Sequence, residues 1–435
     1  MTWHRLFHKL SLTLGVSYTA NNDMPNQSIF LRRVVLNNYM SIARCQLDLQ
    51  SLNFLVGQNG AGKSNFLDAL RFTADALNTS LEHALRERGG IREVRRRSAG
   101  HPTSFGVRLE WMLPSGDHGI YAFRIGARPQ GAFEVQHELC VVDSGARLLA
   151  PPGLLLTPPF YEVRSGVVTD CSLPTWPAAA SDRLFLVAMS GQPEFRPLYD
   201  ALLRMGFYNF NPDVIRELQS PDPGEVLTSD GRNLASVLKR LADQPDGRLE
   251  RVVEMMGKVV PGITGVSYKP IGKKETLEFR QRVAGSKDAW SFDAENMSDG
   301  TLRALGVLVA LFQPPATDGR SVRIVGIEEP ETALHPGAAA VLRSALFEAS
   351  RSTQIIVTSH SPDLLDDKKI SPDSLVSVTS RAGETILGAV DESSRTSIRD
   401  HLFTAGELLR LNQLGTDETA YMQIAERQPD LFAVT

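Results

Sequence analysis

Cysteine is scarce in this chain: 435 residues hold three, Cys45, Cys140 and Cys171. Their spacing pairs none with another, which excludes both a disulfide framework and a cysteine-built metal site. No apolar run approaches the length of a membrane span. No internal repeat and no sustained heptads are present, so no long coiled coil is expected. Excess basic charge is also missing. A formal net charge of −4 argues against a generally basic nucleic-acid binder, though not against a local basic patch. The first residues, Met1 to about Ser28, carry a weakly basic start and a short apolar core from Leu10 to Val16 that Ser, Thr and Gly interrupt. That reads as a loosely held extension rather than a secretory signal. With 42% hydrophobic and 22% charged residues the rest has a globular composition, and its length points to two lobes.

Against that background one stretch stands out. Leu52-Asn-Phe-Leu-Val56 is a short apolar run of buried-strand type. Gly57-Gln58-Asn59-Gly60-Ala61-Gly62-Lys63-Ser64 follows, and from Asn65 to Phe72 the apolar spacing is helical. Strand, Gly-x-x-x-x-Gly-Lys-Ser and helix make a phosphate-binding loop. Side chains at the glycines would keep phosphate oxygens from backbone N–H groups, and the helix start adds free donors and partial positive charge. Lys63 is placed to reach the β- and γ-phosphates of ATP, and the Ser64 hydroxyl to ligate Mg²⁺. An ATP-using protein belongs in the cytoplasm, where ATP is.

Upstream, Ile29–Leu36 and Ala43–Leu49 read as strands. Downstream, Leu81–Arg97 concentrates Arg86, Arg88, Arg92, Arg95, Arg96 and Arg97. That run is either a solvated surface or a phosphate-facing patch, for ATP or for a DNA backbone. Alternation over Phe105–Trp111, Ile120–Ile125 and Phe133–Leu139 predicts consecutive antiparallel strands. The Pro- and Gly-dense stretch from Ala150 to Pro177 reads as loop. Helical patterns follow over 182–189, 195–205, 233–242 and 248–260, then one or two strands over 266–282. The tail from Thr396 to Leu414, with Leu402-Phe403 and Leu408-Leu409, reads as amphipathic helix.

Val322–Ile327 is a second buried-type strand, and it ends in Glu328 and Glu329. A carboxylate at a strand end beside a phosphate loop holds the Mg²⁺ shell, and one a residue further on can orient or deprotonate an attacking water. Gln354-Ile-Ile-Val-Thr-Ser is a third such run, ending in His360, which could hydrogen-bond a γ-phosphate or that water. Between them, Met297-Ser298-Asp299-Gly300-Thr301 opens an apolar helix. Ser298 suits its cap, and Gly300 allows close backbone approach.

Together these pieces resemble the ABC-type ATPase heads of the SMC/RecF-like superfamily, particularly its compact bacterial AAA-labelled members, which include overcoming-lysogenization-defect and antiphage-defence ATPases. The matching parts are Gly57–Ser64 as Walker A, Met297–Thr301 as signature, Ile324–Glu329 as Walker B, Glu331–Pro336 as D-loop and His360 as switch histidine. The resemblance implies an α/β P-loop NTPase head with an antiparallel β subdomain and an inserted mixed α/β lobe. On that reading, residues 1–27 are a flexible extension, 28–129 the first half of the head, 130–285 the insertion, 286–390 the second half and 391–435 a helical tail.

The resemblance also implies a homodimer in which ATP is sandwiched between two heads. Ser298 and Gly300 of one subunit then face the γ-phosphate held by the other subunit's loop, Gly57 to Asn65. Glu329 is the implied catalytic base, His360 the γ-phosphate sensor, and Ser64 and Glu328 the Mg²⁺ ligands. The sequence departs from the usual pattern at Glu328, where Asp is common, and at Asp299, where Gly is usual. The family's Q-loop Gln is expected between the first helix and the antiparallel strands. Two functions follow: an ATPase whose head dimerisation acts on DNA or a partner protein, or a slow ATP-gated scaffold in antiphage defence controlling a separate effector nuclease. A transporter subunit is disfavoured by the large insertion and by the run Glu-Glu-Pro-Glu-x-x-Leu-His-Pro.

Overall fold

The computed structural model describes residues 28–98, 100, 102–143, 158–317, 319, 321–427 and 430–433, so the extension expected over 1–27 lies outside it. Sixteen strands run in chain order among these residues. They are β1 (Leu31–Tyr39), β2 (Ile42–Asp48), β3 (Leu52–Val56), β4 (Ser104–Met112), β5 (His118–Ala127), β6 (Phe133–Asp143), β7 (Phe160–Arg164) and β8 (Val167–Cys171). Then come β9 (Met205–Tyr208), β10 (Ile263–Ile271), β11 (Lys274–Gln281), β12 (Trp290–Asp293), β13 (Ile324–Glu328), β14 (Gln354–Ser359), β15 (Leu375–Arg381) and β16 (Glu384–Ala389).

Thirteen of them form one mixed sheet in the order β8-β7-β6-β5-β4-β1-β2-β16-β15-β3-β14-β13-β9. One wing, from β8 to β2, is antiparallel, while β15, β3, β14, β13 and β9 run parallel. A parallel strand covered on both faces must be apolar on both. β3 shows why its sequence is apolar but for Asn53, whose buried amide donates to the Gln50 and Ile355 carbonyls: Leu55 joins one core with the helix Lys63–Asn78, while Leu52, Phe54 and Val56 join a second core. That second core holds the helices Asp299–Phe312 and Ala339–Ala349 and the small sheet β10-β11-β12. Among the described residues no helix is long and apolar enough to cross a membrane.

The segment expected as one insertion, 130–285, is distributed over three places. β6, β7 and β8 extend the antiparallel wing, β9 closes the far edge of the parallel sheet, and β10 and β11 build the small sheet. The Pro- and Gly-rich stretch read as loop contains the β7–β8 hairpin. Its two turn residues, Ser165 and Gly166, both have positive φ (45° and 77°), as a tight hairpin turn with the twist of its strands requires. The tail is also not one amphipathic helix. It breaks into Glu392–Arg399 and Ala405–Arg410, because Thr404 and Glu407 form a reciprocal capping box that starts a new helix. Leu408 is buried, whereas Leu402 and Phe403 stay exposed.

One side chain ties the two wings. Gln354, fully buried, accepts from the N–H groups of Phe30 (3.2 Å) and Leu31 (2.8 Å) and donates to the carbonyls of Leu31 (2.8 Å) and Gln50 (3.0 Å). Gln354→Leu would leave those backbone groups unpaired in the interior and is expected to cost about 3 kcal/mol. Urea unfolding checks this; an unmoved midpoint would mean that the bridge contributes nothing.

Candidate functional site

The parallel register brings the three motif-bearing strand ends to one edge of the sheet. Ser359 pairs with Val56 across β14 and β3, and Thr358 pairs with Glu328 across β14 and β13. The phosphate loop, the acidic pair and His360 therefore leave the sheet side by side, at the carboxyl ends where open α/β sheets bind ligands. The helix Lys63–Asn78 starts at Gly62, whose φ of 100° is a left-handed conformation; no side chain caps its first N–H groups. A Cβ on Gly62 would lie 2.0 Å from Thr385 Oγ1, so loop and β16 are in direct contact. Thr385 also donates to the Ala61 carbonyl (2.9 Å) and shares a 2.6 Å hydrogen bond with Ser41, which accepts from Asn65 Nδ2 (2.5 Å). Loop shape is thus set from β16 and the β1–β2 turn.

Lys63 is almost wholly buried. Its ammonium donates to the carbonyls of Gly57 (2.9 Å) and Gln58 (3.1 Å) and lies 3.8 Å from Glu329 Oε1. Burial pulls its pKa below the usual lysine value, opposed by Glu329 and Glu331. Ser64 Oγ donates to Glu328 Oε2 at 2.5 Å. These two oxygen donors sit together beside the glycine-rich loop, and hard oxygen ligands in that setting fit Mg²⁺ with phosphate. The extra methylene of Glu328, relative to the usual Asp, does not keep it from Ser64.

Glu329 leaves the sheet with a positive φ of 43°, rare for a side-chain-bearing residue. Its N–H is held by the Thr358 carbonyl at 3.0 Å, and its Oε1 lies 3.2 Å from His360 Nδ1. Glu331, two residues on, accepts from Ser359 Oγ (2.6 Å) and His360 N–H (3.3 Å) through Oε1. Its Oε2 is buried without a hydrogen-bond partner among the described residues, and burial pushes its carboxyl above the usual carboxylate range. Lys63, Glu329, Glu331 and His360 form one continuous cluster.

The helix Asp299–Phe312 begins as expected. Ser298 caps it, accepting from Thr301 N–H at 3.3 Å. Gly300 approaches the 331–334 turn so closely that a Cβ would lie 2.3 Å from the Ala333 carbonyl oxygen. Gly300→Ala therefore forces helix and turn apart. ATP turnover is expected to fall about tenfold or more from a displacement on the ångström scale, with circular dichroism little changed; full activity would show that the contact gives way freely. Asp299 does not point unopposed from the helix start: Arg216, at the end of the helix Pro212–Arg216, is bound to its Oδ1. Among the described residues no hydrogen bond or ion pair joins Ser298, Asp299 or Gly300 to residues 57–65 of the same chain.

Three residues of the arginine run, Arg88, Arg95 and Arg96, are committed internally, while Arg86, Arg92 and Arg97 are exposed. Arg88, its side chain 8% exposed, pairs with Asp68 and Asp75 (2.9 Å each), and Arg95 donates to the Pro102 carbonyl. Arg96 pairs with Glu384 and Arg97 with Glu93, while Arg86 rests on His83. Sequence reasoning did not find Ser41, Thr385 or Arg216, whose contacts with the motifs span 24 to 324 residues of chain. Only Glu331 carried a signal, as part of the acidic run after β13.

The fold, with its convergent loop, acids and histidine, is that of a P-loop NTPase head like those of SMC proteins. The chain belongs to the family described as AAA domain, putative AbiEii toxin, Type IV TA system, whose model matches residues 52–366. No curated protein matches it. A solved SMC head bound to the C-winged helix domain of ScpA is similar in fold, with a TM-score of 0.51 and 12% identity over 85% of this chain and 99% of that one. The Pyrococcus furiosus Smc head domain with an extended coiled coil gives 0.48 at 11% identity, covering 86% of this chain and 99% of that one. The SMC head domain from Thermotoga maritima gives 0.40 at 14% identity, covering 83% and 100%.

Proposed function

We propose that this chain is an ATPase that closes as a head-to-tail homodimer around ATP and uses that closure to act on a partner protein. The observation that carries the reading is the convergence of Lys63, Ser64, Glu328, Glu329 and His360 at one sheet edge. Residues 57–65 would cradle the triphosphate through backbone N–H groups, with Lys63 as the neutralising cation. Ser64 and Glu328 would hold Mg²⁺, which supplies positive charge to the phosphate oxygens.

In the hydrolytic step the oxygen of a water bonds to the γ-phosphorus while the bond from that phosphorus to the bridging oxygen breaks. ADP leaves with the electron pair, and the water proton passes to the Glu329 carboxylate. His360, beside Glu329, orients it toward the water. The signature end at Ser298 is not bonded to the loop of its own chain, which supports a second copy supplying it, with the helix dipole pointed at phosphate. The ion pair between Lys63 and Glu329 favours low basal turnover, since the base is neutralised by its neighbour until the site rearranges. That low rate suits the alternative role, an ATP-gated switch for a separate effector in antiphage defence. Phosphate release from ATP by the wild type against a Lys63→Ala control tests the ATPase; no excess over the control would sink it.

A further inference from the structure

The signature of this chain places a carboxylate at the first position of the helix whose end, in the dimer read above, meets the partner copy's triphosphate. Asp299 is 62% exposed at that end, and a bare anion there would repel polyphosphate. The structure answers this charge from a distant part of the chain. Arg216, 83 residues upstream, binds Asp299 Oδ1 through Nη2 and donates from the same nitrogen to the Met297 carbonyl at 3.3 Å. Its other terminal nitrogen donates to Asp213 Oδ1 at 2.6 Å. Asp213 is 84% exposed and belongs to Arg216's own helical turn, whereas Arg216 is only 25% exposed. The guanidinium thus lies under the helix start, facing two carboxylates and one carbonyl.

We propose that Arg216 is a positioning residue for ATP-dependent dimerisation: the counter-ion that holds the Asp299 carboxylate aside and makes the signature end acceptable to the triphosphate of a second copy. The inference rests on the homodimer reading. Its signature is a charge reciprocity that a merely structural arginine would not give. With the arginine gone, the cost arises from the uncompensated carboxylate, so removing that carboxylate must restore what was lost.

The test uses full-length protein carrying Glu329→Gln, to suppress hydrolysis, with ATP and Mg²⁺, and measures the dimer dissociation constant by analytical ultracentrifugation. Arg216→Ala is expected to weaken the dimer about tenfold or more, an effect that shrinks as salt screens the charges. Asp299→Asn alone should match or tighten the parent. The double variant should return to within about threefold of the parent, and Arg216→Lys should fall between parent and Arg216→Ala. Thermal melting run alongside shows whether each variant is folded. A double variant as weak as Arg216→Ala, or an effect indifferent to salt, overturns the proposal in favour of a purely structural arginine, as does a parent that dimerises with no response to any substitution. A parent that stays monomeric overturns the dimer reading itself, and this inference with it.

Discussion

Glu329→Gln is expected to lower ATP turnover by about a thousandfold while leaving nucleotide binding intact, and to move the protein from monomer to a stable ATP-bound dimer. The amide keeps the size and hydrogen-bonding reach of the carboxylate, so the site holds its shape. What it loses is the ability to take the water proton. Glu329 is the residue for this test because of where it sits. It follows β13 with a φ of 43°, is fixed by Thr358 of the neighbouring strand, and lies against both Lys63 and His360. Backbone strain held in place by its surroundings at a cluster of charged groups points to a functional constraint. The charge change also helps closure, because one negative group fewer faces the triphosphate. Single-turnover phosphate release and light scattering with ATP and Mg²⁺ check the two halves separately. Retained turnover would remove Glu329 as the base, and a monomer under all conditions would remove the dimer.

The convergence of this candidate site was legible in the sequence for a definite reason. In the stretch 57–64 the chemistry of cradling phosphate dictates residue types at consecutive positions, so the pattern is local. The acids after β13 and the histidine after β14 were readable because each follows a short apolar run of buried-strand type, and parallel strands carry such ends to one edge. Residues that act across the fold left no such trace. Thr385 and Ser41 shape the loop from positions 344 residues apart, each an ordinary polar residue in its own neighbourhood.

Arg216 lies in a stretch for which the sequence suggested no element, and only the packing of its helical turn on the signature helix gives it a partner. β9 was missed for another reason: its four residues, Met205–Tyr208, directly follow a helix whose apolar spacing runs into them. The arginine run left two readings open, a solvated surface or a phosphate-facing patch, and the structure divides it: Arg88 is spent on Asp68 and Asp75 and Arg96 on Glu384, while Arg86, Arg92 and Arg97 stay exposed. Proximity along the chain could not reveal that these arginines point to different partners.

The sharpest separation of binding from folding is expected at Lys63. Lys63→Met should abolish measurable ATP binding, yet leave the stability of the nucleotide-free protein within about 1 kcal/mol of wild type or raise it. A buried ammonium is costly, and here burial holds its pKa below the usual lysine value despite Glu329 and Glu331. The sign follows from linkage. A base whose folded-state pKa is depressed binds its proton less readily when folded, so its contribution to stability is fully present only above the unfolded value. It is lost as pH falls through that value to the folded one. At neutral pH the penalty is therefore in force, and methionine removes it while keeping the apolar stem. Against this stands the loss of two hydrogen bonds to the Gly57 and Gln58 carbonyls, each worth about 1 kcal/mol net. The two terms oppose each other, which is why a small net change is expected. Thermal melting with and without ATP reads both quantities in one experiment. Wild type should gain about 2.7 kcal/mol at a hundredfold excess of ATP over its dissociation constant. The variant should start at the same melting temperature or above it and gain nothing. A variant that melts well below wild type would make Lys63 a structural residue first, and one still stabilised by ATP would show that the loop N–H groups hold the phosphates without it.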